Sequence, residues 1–186
     1  MVKLDKIYTR GGDKGDSGLT DGSRRSKADL RFAAIGAVDE ANSVIGVARL
    51  VTGPFEDAML ARIQNDLFDL GADLSLPEDS KKSDGALRIV AAQTERLEHE
   101  IDGMNAGLPP LTSFVLPGGT PLAAHLHVAR ATARRAEREM VALADREAVS
   151  AEALRYINRL SDHLFVMARQ ANDATGDVLW IPGGNR

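Results

Sequence analysis

The sequence predicts an all-α protein, a bundle of five amphipathic helices preceded by a glycine-rich arm. Three observations point there. Apolar residues recur at helical spacing in five long stretches. No stretch alternates apolar and polar residues as a half-buried strand does. Three of the four breaks between the stretches contain both proline and glycine, which stop helices. For a chain of 186 residues this reads as one domain, 1–186, with the arm at 1–26 and the bundle at 27–186.

Each element has its own signal. The arm carries glycines, charges and a few hydroxyls with no sustained helical period, and reads as a loop. From 27 to 51, Leu30, Ala34, Ala37, Val38, Ala41, Ile45 and Ala48 fall on one helix face, and Gly53-Pro54 ends the helix. The second helix, 55–74, buries Ile63, Leu67, Leu70 and Leu74, and the charged run from Pro77 to Gly85 is a solvated loop. The third, 86–104, rests on Val90, Leu97, Ile101 and Met104. Residues 105–120 hold three prolines and three glycines, a long irregular connection of the kind that often carries function. Pro121 suits a first helical turn, and an alanine-rich fourth helix follows to 144. The fifth, 151–174, carries Leu154, Ile157, Leu160, Leu164, Phe165 and Met167.

Composition narrows the function. Apolar residues at 44% and charged residues at 27% are the balance of a water-soluble globular chain. No apolar run approaches the roughly 20 residues of a membrane-spanning helix, and Met1 to Asp5 begins no apolar leader, so the expected location is cytoplasmic with no membrane partner. The absence of cysteine excludes disulfides and thiolate metal sites. His125 and His127 lie about 200° apart on their helix, and His99 is on another, so a histidine metal site is not expected. A net charge of −4 argues against general nucleic-acid binding, so an anionic ligand must be caught by a local basic cluster.

Two such clusters exist. In the arm, Tyr8-Thr9-Arg10-Gly11-Gly12-Asp13-Lys14-Gly15-Asp16-Ser17-Gly18 combines glycines, whose amides can approach a phosphate, with the donors of Thr9, Arg10, Lys14 and Ser17. It is neither a Walker A loop nor a dinucleotide fingerprint, and the same composition suits a mobile terminal loop. On the fourth helix Arg130, Arg134, Glu137 and Arg138 share a face, while Arg135 points away. Such a stripe suits a polyphosphate or, equally, a solvent face laced with ion pairs. On the fifth helix Asn158 shares its face with Leu154, Ser161 and Phe165, as a ligand contact or a satisfied core amide. Asp39 aligns with Ile35, Asn42 and Gly46, and its burial would require a cation.

Five blocks together resemble PduO-type cob(I)alamin adenosyltransferases: the arm from Tyr8 to Gly18, Ala37 to Ser43, Phe114-Val115-Leu116-Pro117-Gly118-Gly119, Arg134 to Arg138, and Tyr156 to Asp162. They stand in the family's order and, with Leu179-Trp180, reach from Lys6 almost to the C-terminus. Gly11 departs from a usual threonine, Ala41 from a leucine and His163 from a frequent aromatic. The resemblance implies a homotrimer with active sites between subunits, in which the 5′-deoxyadenosyl group of ATP passes to the cobalt of cob(I)alamin. ATP would meet Thr9, Arg10, Gly11, Gly12, Ser17, Gly18, Lys27, Arg134, Arg135, Glu137, Arg138 and Asn158. Asp39 and Arg134 would be the catalytic pair, joined across the site. Phe114 and Asp39 would meet cobalamin, and Mg²⁺ would ride on the ATP phosphates. A corrinoid reductase and an adenosylcobalamin-dependent enzyme are the implied partners. The competing reading is a helical module that senses ATP without reacting; an apolar prong at Phe114 is what such a module does not need.

Overall fold

The structure is a computed structural model that describes residues 7–82 and 84–186. The expectation of no apolar leader, and the start of the resemblance at Lys6, fall outside the described residues. The element order is β1 (Asp16–Gly18), β2 (Arg24–Ser26), α1 (Leu30–Ala48), a 3-10 turn (Arg49–Val51), α2 (Pro54–Leu74), α3 (Ala91–Asn105), α4 (Pro121–Ala144) and α5 (Ala151–Ala171). The five expected helices are present, and the arm contains a small antiparallel hairpin in which Ser17 faces Arg25.

Helix boundaries follow local chemistry. The Asp29 side chain accepts from Arg31 N at the start of α1, Thr120 Oγ1 from Ala123 N at α4, and Ser150 Oγ from Ala153 N at α5. The third helix begins at Ala91, five residues later than its apolar pattern suggests, because the preceding backbone is committed elsewhere. Ile89 N donates to Asp73 Oδ2 at 2.9 Å, and Arg88 Nη1 reaches Asp73 Oδ1 and the Leu76 carbonyl. Val90 therefore stays outside the helix, exposed. At the other end, α5 stops at Ala171 instead of 174, where Asn172 turns the chain.

α4 is central: it packs on α1 and on α5, while α2 lies against α1 and α3 against α5. One apolar cluster draws on all five helices. α1 buries Ala34, Ala37, Ala41 and Ala48, and α4 buries Ala123, Ala129, Ala133 and Ala136, so their backbones can approach closely. Leu30, expected on the apolar face, is exposed at the helix start. Two buried acids stitch the outer helices: Asp66 accepts from Tyr156 Oη and Gln93 Nε2 and pairs with Arg96, and Asp73 holds Arg88. Burial, and then the negative Asp66, push the Tyr156 hydroxyl well above its ordinary pKa.

Candidate functional site

The arm folds back on itself through its own backbone. Arg24 Nη2 donates to the carbonyls of Gly11 at 2.6 Å and Asp16 at 3.1 Å, and Lys27 N donates to the Gly15 carbonyl at 2.8 Å. Arg10 sits at φ 60, a left-handed conformation that a side chain adopts only when the surroundings impose it. A Cβ at Gly12 would lie 2.9 Å from Lys27 Nζ and would push the flexible lysine tip aside. Without it, the Lys27 ammonium lies against the arm. Thr9 Oγ1 accepts weakly from Gly11 N at 3.4 Å. The arm thus presents Thr9, Arg10 and Lys27 around a tight glycine turn.

Ser17, Lys27 and Asp39 line one cavity of about 600 Å³, walled by the apolar side chains of Phe32, Ile35 and Phe68 between α1 and α2. Asp39 is exposed there, and Phe68 is 72% exposed. Within one chain Asp39 makes no ion pair with Arg134 among the described residues, so the catalytic pair implied by resemblance is not formed inside a single subunit.

The stripe lies on α4. Among the described residues none of Arg130, Arg134 and Arg138 has a carboxylate partner; Arg138 Nη1 donates only to the Arg134 carbonyl, at 3.2 Å. Glu137, the stripe's one acid, accepts instead from Asn158 Nδ2 at 2.6 Å. Asn158 is therefore a surface side chain that links α5 to the stripe, not a core amide. Arg135 departs from the helical-wheel expectation: it pairs with Glu40 on α1, yet lines the same cavity as Arg130, Arg138 and Thr132, about 570 Å³ in volume. Burial, and then the neighbouring Arg134 charge, lower the Arg130 pKa. A half-desolvated guanidinium with an unpartnered Nε is costly unless a ligand or another chain answers it.

Arg130 also lines a second cavity of about 640 Å³, whose other walls include Phe114, Phe165 and Trp180. The Phe114 loop is held by the C-terminal tail. Val115 bridges Leu179, Trp180 N donates to the Phe114 carbonyl at 2.8 Å, and Leu116 N donates to the Val178 carbonyl at 2.8 Å. The Phe114 and Trp180 rings meet at 5.9 Å between centroids. Phe114 itself is 77% exposed, so it is no plug for the bundle. It stands out as an apolar prong beside a cationic face.

Three residues were not among those the sequence singled out for the site. Arg130 was visible on the stripe but went unassigned; its position between two cavities marks it. His127, buried with both ring nitrogens unpartnered and its pKa lowered by burial and then by Arg130, lines the stripe cavity. Trp180 backs the prong through a pairing distant in sequence, for which local pattern holds no signal.

These features define a mostly helical protein in which an arginine face without carboxylate partners among the described residues and an apolar cavity share one guanidinium, that of Arg130. The chain belongs to the cobalamin adenosyltransferase family, whose model matches residues 7–171. It is 52% identical over 189 residues to the corrinoid adenosyltransferase of Mycobacterium tuberculosis (strain H37Rv), covering all of this chain and 97% of that one. It is 44% identical to that of Bacillus subtilis (strain 168), covering 92% and 89% of the two chains. Among solved structures it matches a phenylalanine-to-histidine variant of the PduO-type ATP:corrinoid adenosyltransferase of Lactobacillus reuteri, complexed with cobalamin and ATP. That match has a TM-score of 0.89 at 39% identity, over 94% of this chain and 96% of that one.

Proposed function

We propose that this chain transfers the 5′-deoxyadenosyl group of ATP to the cobalt of cob(I)alamin, releasing triphosphate. The observation that carries the reading is the α4 face itself: among the described residues Arg130, Arg134 and Arg138 lack carboxylate partners, and Arg130 lines both the stripe cavity it shares with Arg138 and the apolar cavity edged by Phe114. ATP would lie between the arm residues Thr9, Arg10, Gly11, Gly12, Ser17, Gly18 and Lys27 and the α4–α5 residues Arg134, Arg135, Glu137, Arg138 and Asn158. Cob(I)alamin is a powerful nucleophile, so no protein base is required. The cobalt electron pair forms the bond to ribose C5′, the C5′–O bond breaks, and triphosphate departs with that bond's electrons. The protein's part is alignment and stabilisation of the departing charge. Arg134 and Arg138 are the donors we assign to it.

Phe114 would lie against the lower face of the corrin and displace the axial base, leaving a four-coordinate cobalt that accepts an electron from a corrinoid reductase more readily. Asp39 would contact the corrin and complete Arg134 from a neighbouring copy. A homotrimer accounts for the division of the site, because the arm and Asp39 border one cavity and the stripe borders others with no residue in common. Exposed Phe68, beside Asp39, suits coverage by that neighbour. Among the described residues no group of three or more His, Asp or Glu side chains is placed to hold a metal, so Mg²⁺ would enter on the phosphates. A cytoplasmic setting and delivery of the product to an adenosylcobalamin-dependent enzyme belong to the same proposal.

The test is direct. Chemically reduced cobalamin, ATP and Mg²⁺ are mixed with the protein, and absorbance and phosphate products are followed. Adenosylcobalamin with intact triphosphate is the expected result. Binding of ATP without loss of cob(I)alamin absorbance would favour the sensing module instead.

A further inference from the structure

An exposed ring meets the same ligand face repeatedly only if its loop is held at a constant angle. Beyond Phe114 the loop runs through Gly118, Gly119 and Thr120 into α4, and one side chain spans that stretch. Asn172, 1% exposed at the end of α5, accepts from Thr120 N at 2.9 Å through Oδ1 and donates to the Gly118 carbonyl at 3.1 Å through Nδ2. Gly119 between them has φ +105, and a Cβ there would overlap the Asn172 carboxamide. Glycine alone lets the amide lie flat on the backbone. The Asn172 carbonyl also receives the N–H groups of Thr175 and Gly176, at 2.8 and 2.7 Å, where the tail that carries Trp180 begins. One residue therefore anchors both segments that pair behind Phe114.

We propose that Asn172 is a positioning residue for Phe114, fixing the loop that presents the ring while touching neither substrate. The inference rests on the reading of Phe114 as the lower-face residue. A residue that merely ended α5 would need only its backbone, whose N–H already bonds to the Arg169 carbonyl at 3.0 Å. Here both functions of the carboxamide are spent on the prong's loop, and a buried amide whose partners are this specific reports the geometry it enforces.

The experiment compares the parent, Phe114→Ala, Asn172→Ala and Asn172→Asp, each with ATP and cob(II)alamin, by electron paramagnetic resonance. Asn172→Ala should keep the parent's KM for ATP but lose most of the four-coordinate signal. Its kcat should fall more with a protein electron donor than with prereduced cob(I)alamin. Asn172→Asp retains volume and the Thr120 acceptor but sets an oxygen against the Gly118 carbonyl, and should show an intermediate loss. Hydrogen exchange at Thr120 N–H in the parent needs no variant, and should be slower than in an open loop by about tenfold or more, the effect of one hydrogen bond. An unprotected Thr120 amide, or a folded Asn172→Ala with the parent's signal and kcat ratio, overturns the proposal. Failure of the underlying reading looks different: the parent then shows no four-coordinate signal, or Phe114→Ala retains it, and the positioning role falls with it.

Discussion

On the proposed reading, Arg134 and Phe114 act at the scale of single side chains and pull in different directions, one toward an anion and one toward an apolar ligand. Arg134 has no carboxylate to answer it among the described residues, and burial, then the Arg134 charge, lower the pKa of Arg130 beside it. Such mutual repulsion is tolerable when an anion joins the group. Replacing Arg134 by alanine should therefore leave the protein folded while slowing adenosyl transfer roughly 10²–10³-fold, about 2.7–4 kcal/mol of transition-state stabilisation. Purified variant turning over cob(I)alamin within a few-fold of the parent would contradict the phosphate role. For Phe114, exposure sets the expectation: a buried plug would cost about 3–5 kcal/mol on truncation, whereas a side chain 77% exposed should cost at most about 0.5 kcal/mol. Phe114→Ala should thus match the parent in thermal unfolding and ATP binding, yet lose reductase-coupled activity. A large drop in melting temperature would make Phe114 a packing residue.

The arm is the element that most needs anchoring, since its short hairpin buries little apart from Leu19. One anchor is Glu147, just after α4. That carboxylate accepts from Arg25 Nη1 at 2.7 Å and from Arg31 Nη2 at 2.7 Å, and Arg31 is almost fully buried. Burial by itself would raise the Glu147 pKa, but the hydrogen bonds from Arg25 and Arg31 outweigh it and the net shift is downward. A depressed carboxylate contributes stability that is complete above its unfolded pKa of about 4.5 and is lost as pH falls through the lower folded value. Acid titration should therefore loosen this end of the bundle below about pH 4.5. Glu147→Gln should remove that component and cost about 3 kcal/mol, the low end for stranding a buried charge, because Glu147 keeps 28% of its side chain exposed. Denaturant melts of parent and variant at pH 7 and pH 4 check both points. An equal loss of stability in the two proteins on acidification would remove Glu147 from the account.

For the molecule as a whole, the decisive feature is that one chain holds the site in separate parts. Asp39 shares its cavity with the arm, while Arg130 and Arg138 of the stripe that carries Arg134 border another. On the proposed reading, a second copy of the chain joins them. Asp39→Asn should weaken corrinoid binding and assembly, by about 3–5 kcal/mol if the pair is buried in the assembly. Sedimentation velocity and cobalamin titration on parent and variant give the measurement. An unchanged sedimentation coefficient with full corrinoid affinity would make Asp39 an ordinary surface acid.

The sequence alone determined the helices, because a 3.6-residue period, a capping hydroxyl or acid, and a proline or glycine stop are local signals that burial in a bundle reinforces. It also determined the family, since the arm, the arginine stripe and the Phe114 loop are contiguous blocks that remain legible wherever they sit in space. Tertiary structure decided the rest. The three-residue strands of the arm are too short to show alternation, and the late start of α3 follows from hydrogen bonds to Asp73 that lie outside the helix. Arg135 joined the arginine cavity, Asn158 found Glu137 across a helix pair, and Arg130 came to sit between two cavities, none of which a single helical wheel contains. Phe114 met Trp180, and Asn172 met the loop at Gly118 and Thr120, through pairings far apart in the chain. The physical reason is range: periodicity and capping act within a few residues, whereas desolvation, ion pairing and loop anchoring depend on which surfaces the folded chain brings into contact.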